Sequence, residues 1–107
     1  MNKTPDFIAE LHHHTAVEGG RSTPAFSGYR PHIKFSFSEF LTSGQQKFLN
    51  KEIVYPGDNV TAEIAIASVE FFKGKLKKDM LFDFREGTRI IGTGKIIEVL
   101  NEELLAK

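Results

Sequence analysis

The densest mixture of turn-forming and potentially ligand-contacting residues lies in residues 18–32, EGGRSTPAFSGYRPH. These fifteen residues include three glycines, two prolines, two arginines, two aromatic residues and a histidine. Glycine and proline are typical of a chain that turns, whereas arginine is also used to contact anionic ligands. One interpretation is purely structural: the glycines and prolines shape a bend, and arginines brace it through carboxylates such as those of Glu18 and Glu86. The other is that the segment contacts a ligand. We expect Phe26 and Tyr29 to lie in the core rather than to stack on a ligand.

Three consecutive histidines, His12 to His14, raise the possibility of a metal site. On a β-strand, His12 and His14 share one face, a spacing that occurs in zinc sites. A closed zinc site needs four ligands, and the chain offers His32 as its only other histidine and no cysteine. We therefore expect a polar strand end here, no metal and no cofactor.

A basic cluster with neighbouring rings occupies residues 71–78, FFKGKLKK. Such a cluster could grip a phosphate backbone, with an affinity that falls as salt is added. It could equally be a solvated hairpin whose lysines discourage pairing with another strand. We favour the solvated hairpin.

The glycine-containing stretch GTGK, residues 92–95, resembles a phosphate-binding loop only at its end. That loop requires G-x-x-x-x-G-K-[ST] between a strand and a helix. Here Arg89 stands at the first glycine, Ile96 replaces the hydroxyl residue, and the surroundings predict a strand. We expect no nucleotide binding, and no nucleophile–base pair or carboxylate dyad suggests an enzyme.

Length and composition limit the possible protein classes. The chain has 107 residues, ten phenylalanines, no tryptophan and no cysteine, which predicts one domain over residues 1–107 with a phenylalanine-rich core and no disulfides. Its 14 basic and 14 acidic residues argue against binding nucleic acid by bulk charge, although a local basic face is still possible. No apolar signal segment or membrane span is visible, so we expect a cytoplasmic protein without a membrane partner.

The elements that must position these residues are β-strands. Apolar and polar residues alternate with a period of two in four runs, which is typical of half-buried strands, and a fifth run is β-branched on both faces. The runs cover residues 7–12, 33–38, 60–67, 80–85 and 89–100. Pro56 and Gly57 predict a type II turn, and glycines at 74 and 87 mark two more bends. Gly92 and Gly94 suit a barrel strand that bends or closely approaches another backbone. The pattern indicates an all-β barrel or sandwich, with a helix-like tail at residues 101–107.

Three motifs in this order match a known family. They are EGGRSTPAFSGYRP at residues 18–31, EIVYPGDNV at 52–60 and FREGTRIIGTGKIIEVL at 84–100. Together they resemble the C-terminal β-barrel, domain 3, of translation elongation factor Tu, over about residues 6–100. The resemblance implies a single six-stranded antiparallel β-barrel. In the full-length factor this barrel packs beside a second barrel and a GTPase domain, and it helps to hold the T stem of aminoacyl-tRNA.

The resemblance also implies an RNA-binding site formed by Arg21, Ser22, His32, Glu86 and Gly87. Ser22 stands where the family has histidine, and His32 stands where it has glutamine. A guanidinium suits phosphate because its fork can donate two parallel hydrogen bonds. The carboxylate of Glu86 would accept a hydrogen bond from a ribose 2′-OH, and the backbone of Gly87 would approach the sugar. Such contacts hold an A-form helix without reading its sequence.

We therefore expect a non-catalytic, translation-related barrel that binds tRNA or another structured RNA through backbone and 2′-OH contacts. The alternative is a protein–protein interaction module that contacts a GTPase-type translation factor or another partner without binding RNA. Both interpretations require the barrel to bring Arg21 and Glu86 to the same rim. The 107 residues contain neither a GTPase domain nor a second barrel, and no feature predicts the oligomeric state.

Overall fold

The computed structural model of the protein describes residues 4–106, most of which form β-strands and the turns between them. Eight strands are present in this range. They are β1 (Phe7–His13), β2 (Ala25–Phe26), β3 (His32–Phe35), β4 (Leu41–Phe48), β5 (Ile53–Val54), β6 (Asn59–Ile66), β7 (Leu81–Glu86) and β8 (Arg89–Val99). Two short 3-10 helices cover Val69–Phe72 and Glu102–Leu104. No helix among the described residues is long and apolar enough to cross a membrane.

Six of the strands close into a barrel in the order β1-β6-β4-β3-β7-β8. Every neighbouring pair is antiparallel, and β8 pairs with β1 to complete the closure. The two remaining strands, β2 and β5, pair with each other outside the barrel. The prediction of an all-β fold with a six-stranded antiparallel barrel is confirmed.

The core of the barrel is built from phenylalanine rings. Strand β1 shows how the sequence places them: Phe7, Ala9 and Leu11 point inward while the residues between them face outward. Phe7 and Phe35 meet edge to face with their ring centroids 6.0 Å apart, a favourable arrangement for aromatic pairs. Six of the ten phenylalanines are buried, which confirms the expected composition of the core: Phe7, Phe35, Phe48, Phe72, Phe82 and Phe84.

Two glycines in β8 make room for two of these rings. A Cβ atom on Gly92 would lie 2.1 Å from Cζ of Phe84, and one on Gly94 would lie 2.3 Å from Cζ of Phe82. The Cβ at Gly92 would also lie 2.7 Å from the backbone oxygen of His12 on β1. The expected close approach of another backbone is therefore present at Gly92. At both positions, glycine is needed mainly because a phenylalanine ring occupies the space that a side chain would fill.

One strand of the barrel was not recognised from the residue pattern. Strand β4 has the sequence LTSGQQKF, and the residues that alternate into the barrel are Thr42, Gly44, Gln46 and Phe48. Three of these four are polar or lack a side chain, so the strand has no apolar period of two.

The strand predicted over residues 33–38 is too long. Strand β3 ends at Phe35, and residues 36 and 37 form a turn that leaves Phe37 42% exposed. The predicted turn at Pro56 and Gly57 is confirmed: Gly57 has φ +95°, and the backbone N–H of Asp58 donates to the carbonyl of Tyr55.

The lysine-rich segment and the C-terminal residues also differ from expectation. Residues 73–78 do not form a hairpin. They follow the first 3-10 helix, and Leu76 is buried while the lysines around it are exposed. Leu76 forms a parallel bridge with Leu105, and Leu104 is fully buried. The predicted tail therefore packs against the barrel and is helical only over Glu102–Leu104. Lys107 lies outside the described residues.

The strand registers define two rims. The loop rim consists of residues 14–31, 49–58 and 87–88, and the opposite rim consists of residues 36–40, 67–80 and 100–106. This division positions the candidate site, because all of its predicted residues lie at or beside the loop rim.

Candidate functional site

Arg21 and Glu86 meet at the loop rim although they are 65 residues apart in the chain. Arg21 lies in the long loop between β1 and β3, and Glu86 is the last residue of β7. Closure of the barrel brings the loop over the end of β7, where Nη1 of Arg21 donates a hydrogen bond to Oε2 of Glu86. The two residues therefore share one rim, as both interpretations of the sequence require.

The guanidinium of Arg21 also holds the loop in shape. Its Nε donates to the carbonyl of Thr23, and its Nη2 donates to Oγ1 of Thr23 and to the carbonyl of Pro24. The guanidinium carbon lies 4.9 Å from the centroid of the Tyr29 ring, within cation–π range. Four of the five N–H groups of the guanidinium have acceptors among the described residues, which leaves one N–H on Nη1.

Tyr29 is the second partner of Glu86. Its hydroxyl donates to the same Oε2 atom that accepts from Arg21. Burial of Tyr29 and its hydrogen bond to Glu86 raise the pKa of the phenol, so it stays a donor at any ordinary pH. Partial burial alone would raise the pKa of Glu86, but the hydrogen bonds from Tyr29 and Arg21 outweigh it and hold that pKa below its usual value.

The second oxygen of Glu86 is directed differently. Its Oε1 lies 4.0 Å from Nη2 of Arg89, beyond hydrogen-bond range, and the side chain of Glu86 is 35% exposed. One oxygen is thus committed to the fold, and the other can accept a hydrogen bond from a ligand.

The other predicted site residues lie close by. Ser22 follows Arg21 and is exposed. His32 is exposed at the start of β3 and pairs with Arg85, the residue before Glu86. Gly87 is exposed in the β7–β8 turn with φ +62°, a conformation that suits glycine. The structure brings all five predicted residues together at one end of the barrel.

The expected bracing of the loop by arginines is present in part. Arg21 binds Glu86, but Arg85 instead pairs with Asp83 on its own strand, with Nε 2.7 Å from Oδ1. Glu18 lies beside His12, with Oε1 3.4 Å from Nε2, rather than beside an arginine. Of these three expected bracing contacts, the Arg21–Glu86 pair joins two distant segments.

The expectation that Phe26 belongs to the core is wrong. Phe26 is 61% exposed, because its position in β2 points its ring away from the barrel when Ala25 points inward. Tyr29 is half-buried and packs against the core, as expected, while its hydroxyl reaches Glu86.

A buried polar pair lies directly beneath the site. His13 and Gln46 are both buried, and Nε2 of His13 lies 3.2 Å from Oε1 of Gln46. The His13 ring packs against Phe84, with the centroids 5.0 Å apart, and against Phe48. Burial lowers the pKa of His13 to about 4, so the imidazole is neutral near pH 7. Sequence reasoning missed this pair, since Gln46 is the polar inward residue of the unrecognised strand.

The two remaining histidines of the cluster do not form a metal site with acidic neighbours. The rings of His12 and His14 are 5.6 Å apart between centroids, and Nδ1 of His12 lies 2.8 Å from Oδ1 of Asn59. Within residues 4–106 no group of three histidine, cysteine or acidic side chains is arranged to hold a metal ion. His12 instead links β1 to β6 and to the loop at Glu18.

The hydroxyl of Tyr29 can be tested separately from its ring. The Tyr29→Phe variant should have a free energy of unfolding about 1–2 kcal/mol lower than that of the wild type, because Glu86 loses a partly buried donor. Urea unfolding followed by circular dichroism measures this change. The matched control is Tyr55→Phe on an exposed tyrosine, which should change the free energy by less than about 0.5 kcal/mol. Equal effects of the two variants would contradict the assigned role of the hydroxyl.

A comparison with known families agrees with this geometry. Residues 1–100 match the family model described as Elongation factor Tu C-terminal domain. The match includes all eight strands and all five predicted site residues. It therefore covers both the barrel and the loop rim.

Proposed function

Because the chain belongs to the family of elongation factor Tu C-terminal domains, we propose that it is a non-catalytic barrel that binds a T-stem-like RNA duplex at the loop rim. The family relates the chain to the translation factors. The proposal places its action in the cytoplasm, where translation takes place, and assigns it no nucleotide and no cofactor.

The observation that carries the proposal is the meeting of Arg21 and Glu86. A cation and a hydrogen-bond acceptor from two distant segments lie side by side, next to the exposed backbone of Gly87. An RNA minor groove offers both phosphates and 2′-hydroxyl groups, and a protein that contacts both recognises the shape of the duplex.

Glu86 has the chemistry that distinguishes RNA from DNA. A 2′-OH is a donor, and Oε1 of Glu86 is an acceptor that the fold leaves to a ligand. Arg21 and Tyr29 both donate to Oε2, so the carboxylate is oriented before RNA arrives. A fixed acceptor loses less conformational entropy on binding than a mobile one.

The phosphate contacts are shared among several groups. Arg21 can offer one N–H from Nη1, rather than the bidentate fork that its residue type suggests, because its other N–H groups hold the loop. Ser22 and His32 are also exposed at this end of the barrel, and each can donate a hydrogen bond. Arg89, whose side chain is 59% exposed, adds a cation next to Glu86. A local site of this kind needs no net positive charge on the whole chain.

The proposal is tested by placing the same negative charge at each end of the barrel. Ser22→Glu introduces a carboxylate beside the proposed phosphate contacts, and Ser36→Glu introduces one at an exposed serine on the opposite rim. We expect Ser22→Glu to weaken tRNA binding at least about tenfold, since like charges brought together cost affinity. Ser36→Glu should stay within about twofold of the wild type, since a distant exposed charge is screened.

Fluorescence anisotropy of labelled tRNA, titrated with the protein from about 50 to 200 mM salt, measures these affinities. The two variants carry the same net charge, so a difference between them locates the contact. Absence of binding at the lowest salt by protein that is folded by circular dichroism would overturn the proposal. An equal loss in the two variants would overturn the location of the site.

A further inference from the structure

The opposite rim carries a surface that the RNA proposal does not use, and we propose that it contacts a second copy of this chain. The surface is formed by the rings of Phe37, Phe40 and Phe71, which we call the aromatic patch. The inference is independent of RNA binding, because the patch and the loop rim lie at opposite ends of the barrel.

The rings of the aromatic patch are unusually exposed. Phe40 is 69% exposed, Phe71 is 66% exposed and Phe37 is 42% exposed. Phe40 lies between β3 and β4 and Phe71 lies in the first 3-10 helix, and their rings stack with centroids 6.0 Å apart and planes at 17°. Exposed apolar groups that cluster in this way mark contact surfaces, whereas singly scattered ones do not.

The aromatic patch is anchored to the core through Phe37, and Phe71 directly precedes the buried Phe72 in the first 3-10 helix. The ring of Phe37 lies 6.2 Å from that of Phe72 and 5.8 Å from that of Phe35, measured between centroids. Both Phe72 and Phe35 are fully buried, and they pack against each other with centroids 5.1 Å apart. A surface fixed in this way loses little conformational entropy when it is covered.

The size of the patch fits a contact between proteins. With about 200 Å² for a whole phenylalanine, the three residues expose roughly 350 Å². A standard interface buries about 800 Å² on each partner, so the rings would supply nearly half and the surrounding charged residues the rest.

The charges around the patch favour a protein partner over a nucleic acid. Glu39 directly precedes Phe40, and Glu70 directly precedes Phe71, so each stacked ring has an exposed acidic residue next to it in the chain. Lys73 is already close to two carboxylates, with Nζ 3.3 Å from Oε2 of Glu70 and 3.5 Å from Oε1 of Glu103. A phosphate backbone would be repelled by the carboxylates next to the rings.

The same charges are complementary to themselves. The exposed Lys75, Lys77 and Lys78 lie in the turn that follows Phe71, on the same rim as Glu39 and Glu70. In a twofold contact each copy presents the same surface, so the carboxylates of one copy can face the lysines of the other while the rings meet at the centre. The chain has a formal net charge of zero, so no long-range repulsion opposes the approach of two copies.

Sedimentation equilibrium of the full chain over a range of concentrations tests the inference. We expect the wild type to dimerise and Phe71→Ser to weaken the dimer at least about tenfold, because an exposed ring at the centre of an interface carries much of its affinity. Val17→Ser is the matched control, since Val17 is 99% exposed on the loop rim and should leave the dimer unchanged. Circular dichroism verifies that each variant is folded.

Three outcomes would contradict the inference. A wild type that stays monomeric up to about 1 mM would overturn the inference, since such a contact would be too weak to act. A dimer that Phe71→Ser leaves unchanged would also overturn it, because the interface would lie elsewhere. Capture of a labelled single-stranded RNA by monomeric wild type but not by Phe71→Ser would assign the patch to nucleic acid instead. None of these measurements depends on whether tRNA binds at the loop rim.

Discussion

Lowering the pH from 6.5 to 4 is expected to reduce the free energy of unfolding by about 3 kcal/mol, because His13 is buried as a neutral imidazole. In the unfolded chain this histidine takes up a proton near pH 6.5, whereas in the fold its pKa is about 4. Between these two values the unfolded state binds more protons, so stability falls as the pH falls. Below pH 4 both states carry the proton and this contribution stays constant.

The size of this loss is large for a small domain, whose total stability is commonly about 5–15 kcal/mol. Urea unfolding at a series of pH values measures it. The interval from pH 6.5 down to 4.5 suits this measurement, because the pKa values of Glu18 and Glu86 are lowered in the fold and the stability that this contributes is lost mainly below the usual value of 4.5.

Two variants show whether His13 is responsible. His13→Leu should flatten the dependence of stability on pH in this interval, even if the variant is less stable at pH 7 because Gln46 loses its partner. His32→Ala, on an exposed histidine, should leave the dependence in place. If the stability of the wild type did not change with pH in this interval, the fold would accommodate the charged imidazole of His13, and the prediction would be wrong.

The second large effect is expected at Gly92. The Gly92→Ala variant should be less stable than the wild type by about 3 kcal/mol, because the added Cβ would lie 2.1 Å from Cζ of Phe84. A shift of the ring is opposed by its fully buried surroundings, and the backbone oxygen of His12, 2.7 Å from the same Cβ, limits movement of β8. Thermal or urea unfolding measures the change.

Thr93→Ala is the matched control, since Thr93 is exposed on the same strand and should change the free energy of unfolding by less than about 0.5 kcal/mol. The combination of Gly92→Ala with Phe84→Leu tests the cause. A smaller side chain at position 84 leaves space for the methyl group, so the double variant should be more stable than the sum of the single effects by at least about 1 kcal/mol. Additive effects would place the strain elsewhere.

The fold was predictable from the sequence because two kinds of signal agreed. Alternation marked β1, β6 and β7, and the three family motifs supplied the order and number of strands. Strand β4 had no such signal, because its inward-facing residues include Thr42 and Gln46, whose side chains are polar rather than apolar. The position of a buried polar residue depends on a partner that only the closed barrel provides.

The meeting of Arg21 and Glu86 at one rim was predictable, but the other contacts of these residues were not. The motifs named Arg21 and Glu86, yet the loop has its own acceptors for the guanidinium, and these are set by tertiary geometry. Tyr29 was expected only as a core residue, because the residue type does not reveal where its hydroxyl points. The exposure of Phe40 and Phe71 was likewise hidden, since phenylalanine in a sequence predicts burial.

Closure of the barrel has a consequence for how this protein selects a partner. In the cylinder of β1, β3, β4, β6, β7 and β8, each strand has hydrogen-bonded neighbours on both sides, so none of the six can template the addition of a strand from another molecule. Any contact that the barrel makes with another molecule then depends on its side chains and turns. Each end can change its specificity through a few substitutions while the backbone scaffold between them stays the same.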